Sequence, residues 1–577
     1  MLFTLSFGRS AISILLVPVL LLCTEVSCFK NNFEPDFHTG QIPKGVVSTN
    51  GIGCAEAGID IMKKGGTAVD AAIATLFCEG VSMPSTMGLG GGFFMTIYKK
   101  SLNRVYCLDS REVAPDAATQ NMFSGRPELA QTGGLSVAVP GELIGYWRAY
   151  AAFGGGVSWS QLPQDAIKKS KNGIYMNPFT AKMVERSKEF VFIDPGLRKV
   201  FINPTTNDTY KEGDYYKNPT LAKTLEIIAN EGGEALHRGS LTRRFVKDIQ
   251  RKNGIITVKD MNNYRPKWKA SVKTSISGMQ LHSFPLPSSG PLLVYMSNIL
   301  NGFLDTETPF SLTNYQRLAE ALKFGYGART NLGDDDFVDV EGILANITSV
   351  KYAVQTRKKI FDNRTSQDPS YYGAFTENHN DHGTAHICVV APNGDVVSVT
   401  SSINYIFGAK FMSESTGIIL NDSMDDFSIP GEPNIFGLPP SPTNYIEPGK
   451  RPMSSMCPSI ILDNGNVFMV IGGAGGSRIT SNVLQVIINR LFYRFGLIRA
   501  SNEERIHHQL FPMILQLENE FLQKKPDIVD GLREIGHKLT FSDPDGFAAV
   551  TCISRDNGER LLGVTDKRRG GSVANLY

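Results

Sequence analysis

The rhythm of apolar and polar positions changes along this chain. From Asn50 to Phe94 the pattern is helical and Ala-rich, broken at Gly65-Gly66, and Thr67-Ala-Val-Asp70 has the form of a capping box that opens a second helix. Gly88-Leu-Gly-Gly-Gly92 then leads into Phe93-Phe-Met-Thr-Ile-Tyr98, whose aromatic and β-branched content predicts a buried strand. Between about residues 160 and 380 helical patterns alternate with Asn/Pro/Gly turns, without a repeat. The polar stretch from Asn363 to Asp381 predicts an exposed, accessible loop. Beyond residue 384 the texture is β: Ile387 to Ala391, Pro392-Asn-Gly394, then Val396 to Thr400. It recurs as Ser459 to Leu462, Asp463-Asn-Gly465, Val467 to Ile471, and as Phe547 to Ile553, Asp556-Asn-Gly558, Leu561 to Val564. Asn-Gly between β-rich runs is a strong hairpin signal. Helices are predicted for Ile479 to Phe495 and Asn502 to Lys525, so strands faced by helices make a layered α/β unit.

The length of 577 residues accommodates two or three domains, or one large unit built from two interlocked halves. Lys and Arg (58) nearly balance Asp and Glu (56), a net +2 that carries no nucleic-acid signal. An apolar run from Ala11 to Cys23, after a single positive charge and before small residues at Ser27 and Cys28, predicts a signal peptide over residues 1–28. An uncleaved anchor is the alternative; Pro18 and the short length speak against it. Secretion admits disulfides, and Cys54 with Cys78 is the favoured pair, because each lies in a short helical stretch and two antiparallel helices could join them. Secretion also makes the sequons at Asn207, Asn346 and Asn363 candidate glycosylation sites. The fourth, Asn421, is the least suited, because it adjoins the candidate pocket.

The chemistry centres on Asp381-His-Gly-Thr-Ala-His386. Gly383 frees the backbone for strained geometry, and the Thr384 hydroxyl could attack the preceding carbonyl in an N-to-O acyl shift. Hydrolysis of the ester would release the Thr384 α-amine, whose unperturbed pKa of about 7.7 to 8.0 lets it serve as base to its own hydroxyl. Gly472-Gly-Ala-Gly-Gly476, between a strand and a helix, can aim backbone N–H groups at an oxyanion. Phosphate binding at these glycines is disfavoured, since neither a Walker A nor a G-x-G-x-x-G pattern is present. His382 and His386 lie on a loop entering a strand, which breaks the geometry a zinc face would need, and no G-x-S-x-G elbow supports a Ser-His-Asp hydrolase.

These residues resemble the γ-glutamyltranspeptidase family of N-terminal nucleophile hydrolases, from about Asn50 to the C-terminus. Thr384-Ala-His-Ile-Cys-Val-Val390, Thr400-Ser-Ser-Ile-Asn404, Met424-Asp-Asp-Phe427, Pro452-Met-Ser-Ser-Met-Cys457 and Gly475-Gly476 follow in family order, after Met87-Gly-Leu-Gly-Gly-Gly92 and Asp109-Ser-Arg-Glu-Val-Ala-Pro115. The resemblance implies a four-layer αββα sandwich. It also implies self-cleavage between Gly383 and Thr384 into a large subunit (29–383) and a small one (384–577) that stay together as a heterodimer. Arg111, Ser454 and Ser455 would hold a glutamyl α-carboxylate, and Asn404 and Asp426 its α-ammonium. Ser402 falls where the family's second threonine supports the nucleophile, and Gly475 and Gly476 would form the oxyanion hole. The donors implied are glutathione and related γ-glutamyl compounds, the acceptors water, amino acids or dipeptides, with no metal or organic cofactor.

Ser423 departs from the family, which usually has Glu or Gln there. Loss of one hydrogen bond to a charged group costs about 1.5 to 3 kcal/mol, so weaker γ-glutamyl binding is expected, improved by Ser423→Glu. A catalytically weak secreted binding protein on the same scaffold, or another N-terminal nucleophile amidohydrolase, are the alternatives.

Overall fold

Every neighbouring pair of strands in the two large sheets is antiparallel in the computed structural model, which describes residues 41–377, 383–431, 439–556 and 560–577. The signal peptide expected over residues 1–28, together with Asp381 and His382, falls outside the described residues. No described helix is long and apolar enough to cross a membrane.

The first sheet runs, in spatial order, Ser572–Leu576, Gly45–Thr49, Ala385–Val390, Val396–Ser402, Gly92–Lys99, Arg104–Ser110 and Lys267–Lys269. The second runs Arg560–Val564, Ala549–Asp556, Asn466–Ala474, Ser459–Asp463, Met279–Ser283 and Val272–Ile276. Strands before and after residue 384 are interleaved in the first sheet, and in the second they meet where Met279–Ser283 pairs with Ser459–Asp463. The sheets face each other across a small core that includes Val46, Tyr98, Val390, Val396, Ile460, Val470 and Ile553. Helices Ala55–Lys63, Ala68–Ser82 and Glu142–Phe153 cover the outer face of the first sheet, and Gly290–Leu300 and Ile479–Ile487 that of the second. This is the four-layer αββα sandwich. Ala385–Val390 and Val396–Ser402 are buried at every position, as strands covered on both faces must be.

Local signals account for many of these elements. Thr67 and Asp70 form the capping box in both directions. At Asp463-Asn-Gly465 a two-residue turn has positive φ at Asn464 (47°) and Gly465 (73°), the mirror-image geometry that fits strand twist. Ser277 (47°) and Gly278 (81°) make the same turn between Ile276 and Met279. The three strands between Lys267 and Ser283 were not foreseen, because Ser-Gly is a weaker hairpin signal than Asn-Gly.

The helix expected over Asn502 to Lys525 is absent. Its place is taken by strands Ile506–His507 and Leu515–Glu518 and a short helix Phe521–Lys524. Pro512 denies the segment a helical N–H, and Leu515 and Leu517 are buried at period two, not at helical spacing. The expected helix from Ile479 continues as a π-helical turn and stops at Phe492. The stretch expected as an accessible loop after Asn363 is partly pinned. Buried Lys323 donates to Thr365 Oγ1 (2.6 Å) and the Ser366 carbonyl (2.6 Å), and Tyr372 is buried, while Phe375 is exposed.

Cys54 and Cys78 form a disulfide that ties the first two helices together. Cys107, Cys388, Cys457 and Cys552 are buried thiols, and burial pushes those of Cys107 and Cys552 up to about 12. The disulfide spans a separation of 24 residues. Replacing both of its cysteines with alanine is expected to lower unfolding stability by about 3 kcal/mol, measurable by chemical denaturation against the parent. Asn207, Asn346 and Asn363 are exposed. Asn421 is fully buried, its side chain bonded to Gly90, Ala138 and Ser423 backbone.

Candidate active site

Thr384 stands one residue before the Ala385–Val390 strand, whose first ladder pair is Ala385 with Ser401. It is buried and carries φ of 103°. A β-branched residue at positive φ is a genuine outlier and stores conformational strain. Its hydroxyl is in hydrogen-bond contact with the Gly383 carbonyl oxygen, so it lies against the preceding peptide group. Gly383 has φ of 76°, and a Cβ there would stand 1.8 Å from the Asn404 carbonyl oxygen. No other residue fits without moving that backbone.

On the facing sheet, strand Asn466–Ala474 is followed by Gly475, then by the turn Gly476–Arg478 and helix Ile479–Ile487. Gly475 (φ 142°) and Gly476 (φ 63°) both need glycine's freedom, and a Cβ on Gly475 would stand 2.6 Å from Ala548 Cα. The Gly475 N–H donates to Thr384 Oγ1 at 3.4 Å. Gly472, earlier in the same strand, leaves room for the His386 ring, which a Cβ would approach to 2.2 Å. His386 shares a hydrogen bond with Thr400 Oγ1 (2.8 Å), and burial holds its imidazole down at about 3. It is neutral at physiological pH. Arg569 donates to the Thr384 carbonyl at 2.6 Å.

A chain of contacts leads from the neighbourhood of Gly383 and Thr384 to a charged pocket. Ser402 Oγ accepts the Asn404 N–H (2.9 Å), and the Asn404 amide donates to the Asp422 carbonyl (3.3 Å). Next to Asp422, Ser423 Oγ donates to Glu112 Oε1 at 3.0 Å. The Arg111 guanidinium pairs with Glu112 (3.3 Å) and with Asp426, and all three side chains are buried. Asp109 links this group to the serine loop: its carboxylate takes the Arg111 N–H (3.0 Å) and pairs with Arg451 (3.0 Å). The loop is held in turn by Ser454 N–H to the Pro287 carbonyl (2.9 Å) and Thr480 to the Ser455 carbonyl (3.0 Å). Burial raises the Asp422 carboxyl well above its usual range, and its Oδ2 has no hydrogen-bond partner among the described residues.

The sequence-predicted residues Thr384, Ser402, Asn404, Ser423 and Asp426 thus join through direct contacts or one intermediary, with Arg111 among them. Glu112, Asp422 and Arg569 were missed. Glu112 follows Arg111 directly in Asp109-Ser-Arg-Glu-Val-Ala-Pro115, and the signal for Arg569 is the Gly570-Gly571 pair that follows it, with φ of 79° and 147°.

A family model described as Gamma-glutamyltranspeptidase matches residues 54–576. Scoloptoxin SSD14 of Scolopendra dehaani is 41% identical over 547 residues, covering 94% of this chain and 93% of that protein. Glutathione hydrolase 2 of Arabidopsis thaliana is 37% identical over 544 residues, covering 91% and 93%. Among solved structures, a cephalosporin acylase from Bacillus halodurans superposes with a TM-score of 0.80 over 93% of this chain and 96% of its own at 23% identity, a likeness of fold. Helicobacter pylori gamma-glutamyltranspeptidase matches with a TM-score of 0.52 at 30% identity, over 54% of this chain and 90% of that one.

Proposed function

This chain belongs to the gamma-glutamyltranspeptidase family, and on that premise we propose that it is a self-processing enzyme that cleaves the γ-glutamyl amide of glutathione and related compounds. The observation that carries the proposal is the Thr384 hydroxyl in contact with the Gly383 carbonyl oxygen, on a strained backbone, with the Gly475 N–H beside it.

Maturation begins when Thr384 Oγ attacks the Gly383 carbonyl carbon and the C–N bond breaks. Water then hydrolyses the resulting ester, leaving a Gly383 carboxylate and a free Thr384 α-amine. In turnover that amine takes the hydroxyl proton while Oγ attacks the γ-carbonyl of the donor. The N–H groups of Gly475 and Gly476 hold the oxyanion, and collapse expels the amine product with the proton. Water or an acceptor amino acid or dipeptide resolves the γ-glutamyl ester. The donor's α-amino acid group is a zwitterion, and the Arg111–Asp426 pair is its complement. A substrate carboxylate on Arg111, with Ser454 and Ser455, and an ammonium on Asp426 and Asn404 would replace one buried ion pair by two. We place the product as a heterodimer of residues 29–383 and 384–577, exported and glycosylated at Asn207, Asn346 and Asn363.

The test is a denaturing gel beside a γ-glutamyl anilide assay. Two fragments, the smaller beginning at Thr384 by N-terminal sequencing, with amine release, are expected. Cleavage without γ-glutamyl turnover would favour a different amidohydrolase.

Ser423 offers a graded check. Its hydroxyl is committed to Glu112, so Ser423→Glu would set two buried carboxylates side by side, and glutamine is the better probe. Ser423→Gln is expected to lower KM for the donor roughly tenfold, as one regained hydrogen bond to a charge implies, with kcat little changed. An unchanged KM removes Ser423 from recognition.

A further inference from the structure

We infer that Arg569 is a positioning residue for the nucleophile, clamping the Thr384 carbonyl so that hydroxyl and amine keep their geometry once the bond to Gly383 is cut. The inference rests on the proposed role of Thr384.

Before cleavage Thr384 is held from both sides of the chain. Afterwards its N-terminal tether is gone, and its only covalent link is through its own carbonyl to Ala385. Thr384 also lies outside the sheet ladder, which begins at Ala385. The orientation of the 384–385 peptide group then decides where Cα, and with it both reacting groups, can be. The hydrogen bond from Arg569 Nη1 to that carbonyl, at 2.6 Å, fixes this plane. A charge-assisted bond is suited to such a clamp because it is shorter and stronger than a neutral one.

The arginine is itself built in. Its guanidinium lies over the Phe179 ring at 4.4 Å, on helix Pro178–Arg186, and its backbone N–H donates to the Asp566 carbonyl at 3.1 Å. The glycines that follow let the turn press against the first strand: a Cβ on Gly571 would stand 2.1 Å from the Thr49 carbonyl oxygen. Behind it lies the fully buried Glu79, whose Oε2 accepts from the Thr49 hydroxyl and whose Oε1 has no hydrogen-bond partner among the described residues. Burial raises the Glu79 carboxyl to about 8, with the nearby Arg569 cation opposing that rise. Burial lowers Arg569 to about 10, which leaves it a cation at neutral pH. Phe179 and Glu79 precede the cleavage point and Arg569 follows it, so the clamp also spans the two halves.

Displacement of a reacting group by about 1 Å can cost on the order of 10²-fold. Full-length Arg569→Ala and Arg569→Lys are compared with the parent by gel for the rate of conversion to two chains, and with γ-glutamyl anilide for kcat and KM. Arg569→Ala is expected to mature only a few-fold more slowly, because the uncut chain still holds Thr384 from both sides. Once mature, it is expected to lose roughly 10- to 100-fold in kcat with KM within about twofold of the parent. Arg569→Lys should recover most of that loss, and millimolar guanidine should raise kcat of the alanine variant several-fold. Parent-like maturation and kcat in Arg569→Ala overturns the inference. So does a lysine variant as impaired as the alanine one with no response to guanidine, the pattern of a purely structural staple. If the alanine variant does not fold, kcat of the lysine variant at unchanged KM decides: a loss of less than about tenfold is expected, a loss as large as that of a nucleophile variant overturns it. A parent that matures without releasing amine would sink the proposed activity, not the clamp, which maturation rates would then judge alone.

Discussion

Thr384→Ala is expected to remain one unbroken chain and to lose γ-glutamyl turnover by more than roughly 10⁴-fold, the scale on which enzymes lose rate when their nucleophile is removed. Both consequences follow from one atom, because the hydroxyl that contacts the Gly383 carbonyl oxygen is also the group that would attack the donor. Stability should behave differently. Threonine at φ of 103° is strained by its branched Cβ, and alanine tolerates positive φ better. The variant should therefore melt within a few degrees of the unprocessed parent. Cleavage of Thr384→Ala at residue 383 would refute the maturation scheme, and a collapse in Tm would show that Thr384 serves the fold before it serves chemistry.

Gly475→Ala is expected to lower kcat by about 10² to 10³-fold with KM nearly unchanged, the scale of losing one oxyanion donor. The added methyl would meet Ala548 Cα at 2.6 Å, and φ of 142° is a conformation alanine avoids, so the turn must shift and carry its N–H away from Thr384. The substrate's α-carboxylate and ammonium are proposed to bind elsewhere, on Arg111 and Asp426, which is why KM should hold. Steady-state kinetics with a γ-glutamyl anilide give both constants. A rise in KM at constant kcat would move Gly475 out of the oxyanion hole and into substrate binding.

Local chemistry made part of this protein legible in advance. The capping box at Thr67 and the hairpin at Asn464-Gly465 are set by side chains and dihedrals within a few residues, so they could be read one segment at a time. Thr384, Arg111, Asp426 and the two glycines were legible as residue types with a chemical use. The segment from Asn502 to Lys525 was misread because apolar residues at mixed spacing fit helix and strand alike, and only Pro512 and the docking of Leu515 and Leu517 decide between them.

What the sequence by itself determined was which residues could do the chemistry and where the chain could bend. The tertiary structure alone decided their company. Ser423 is committed to Glu112, Arg111 is already paired with Asp426, His386 is kept neutral by burial, and Arg569 reaches the Thr384 carbonyl from 185 residues away. The physical reason is that hydrogen bonds, ion pairs and desolvation depend on distances and burial that strand pairing creates. No local pattern encodes them until the two sheets have closed on each other.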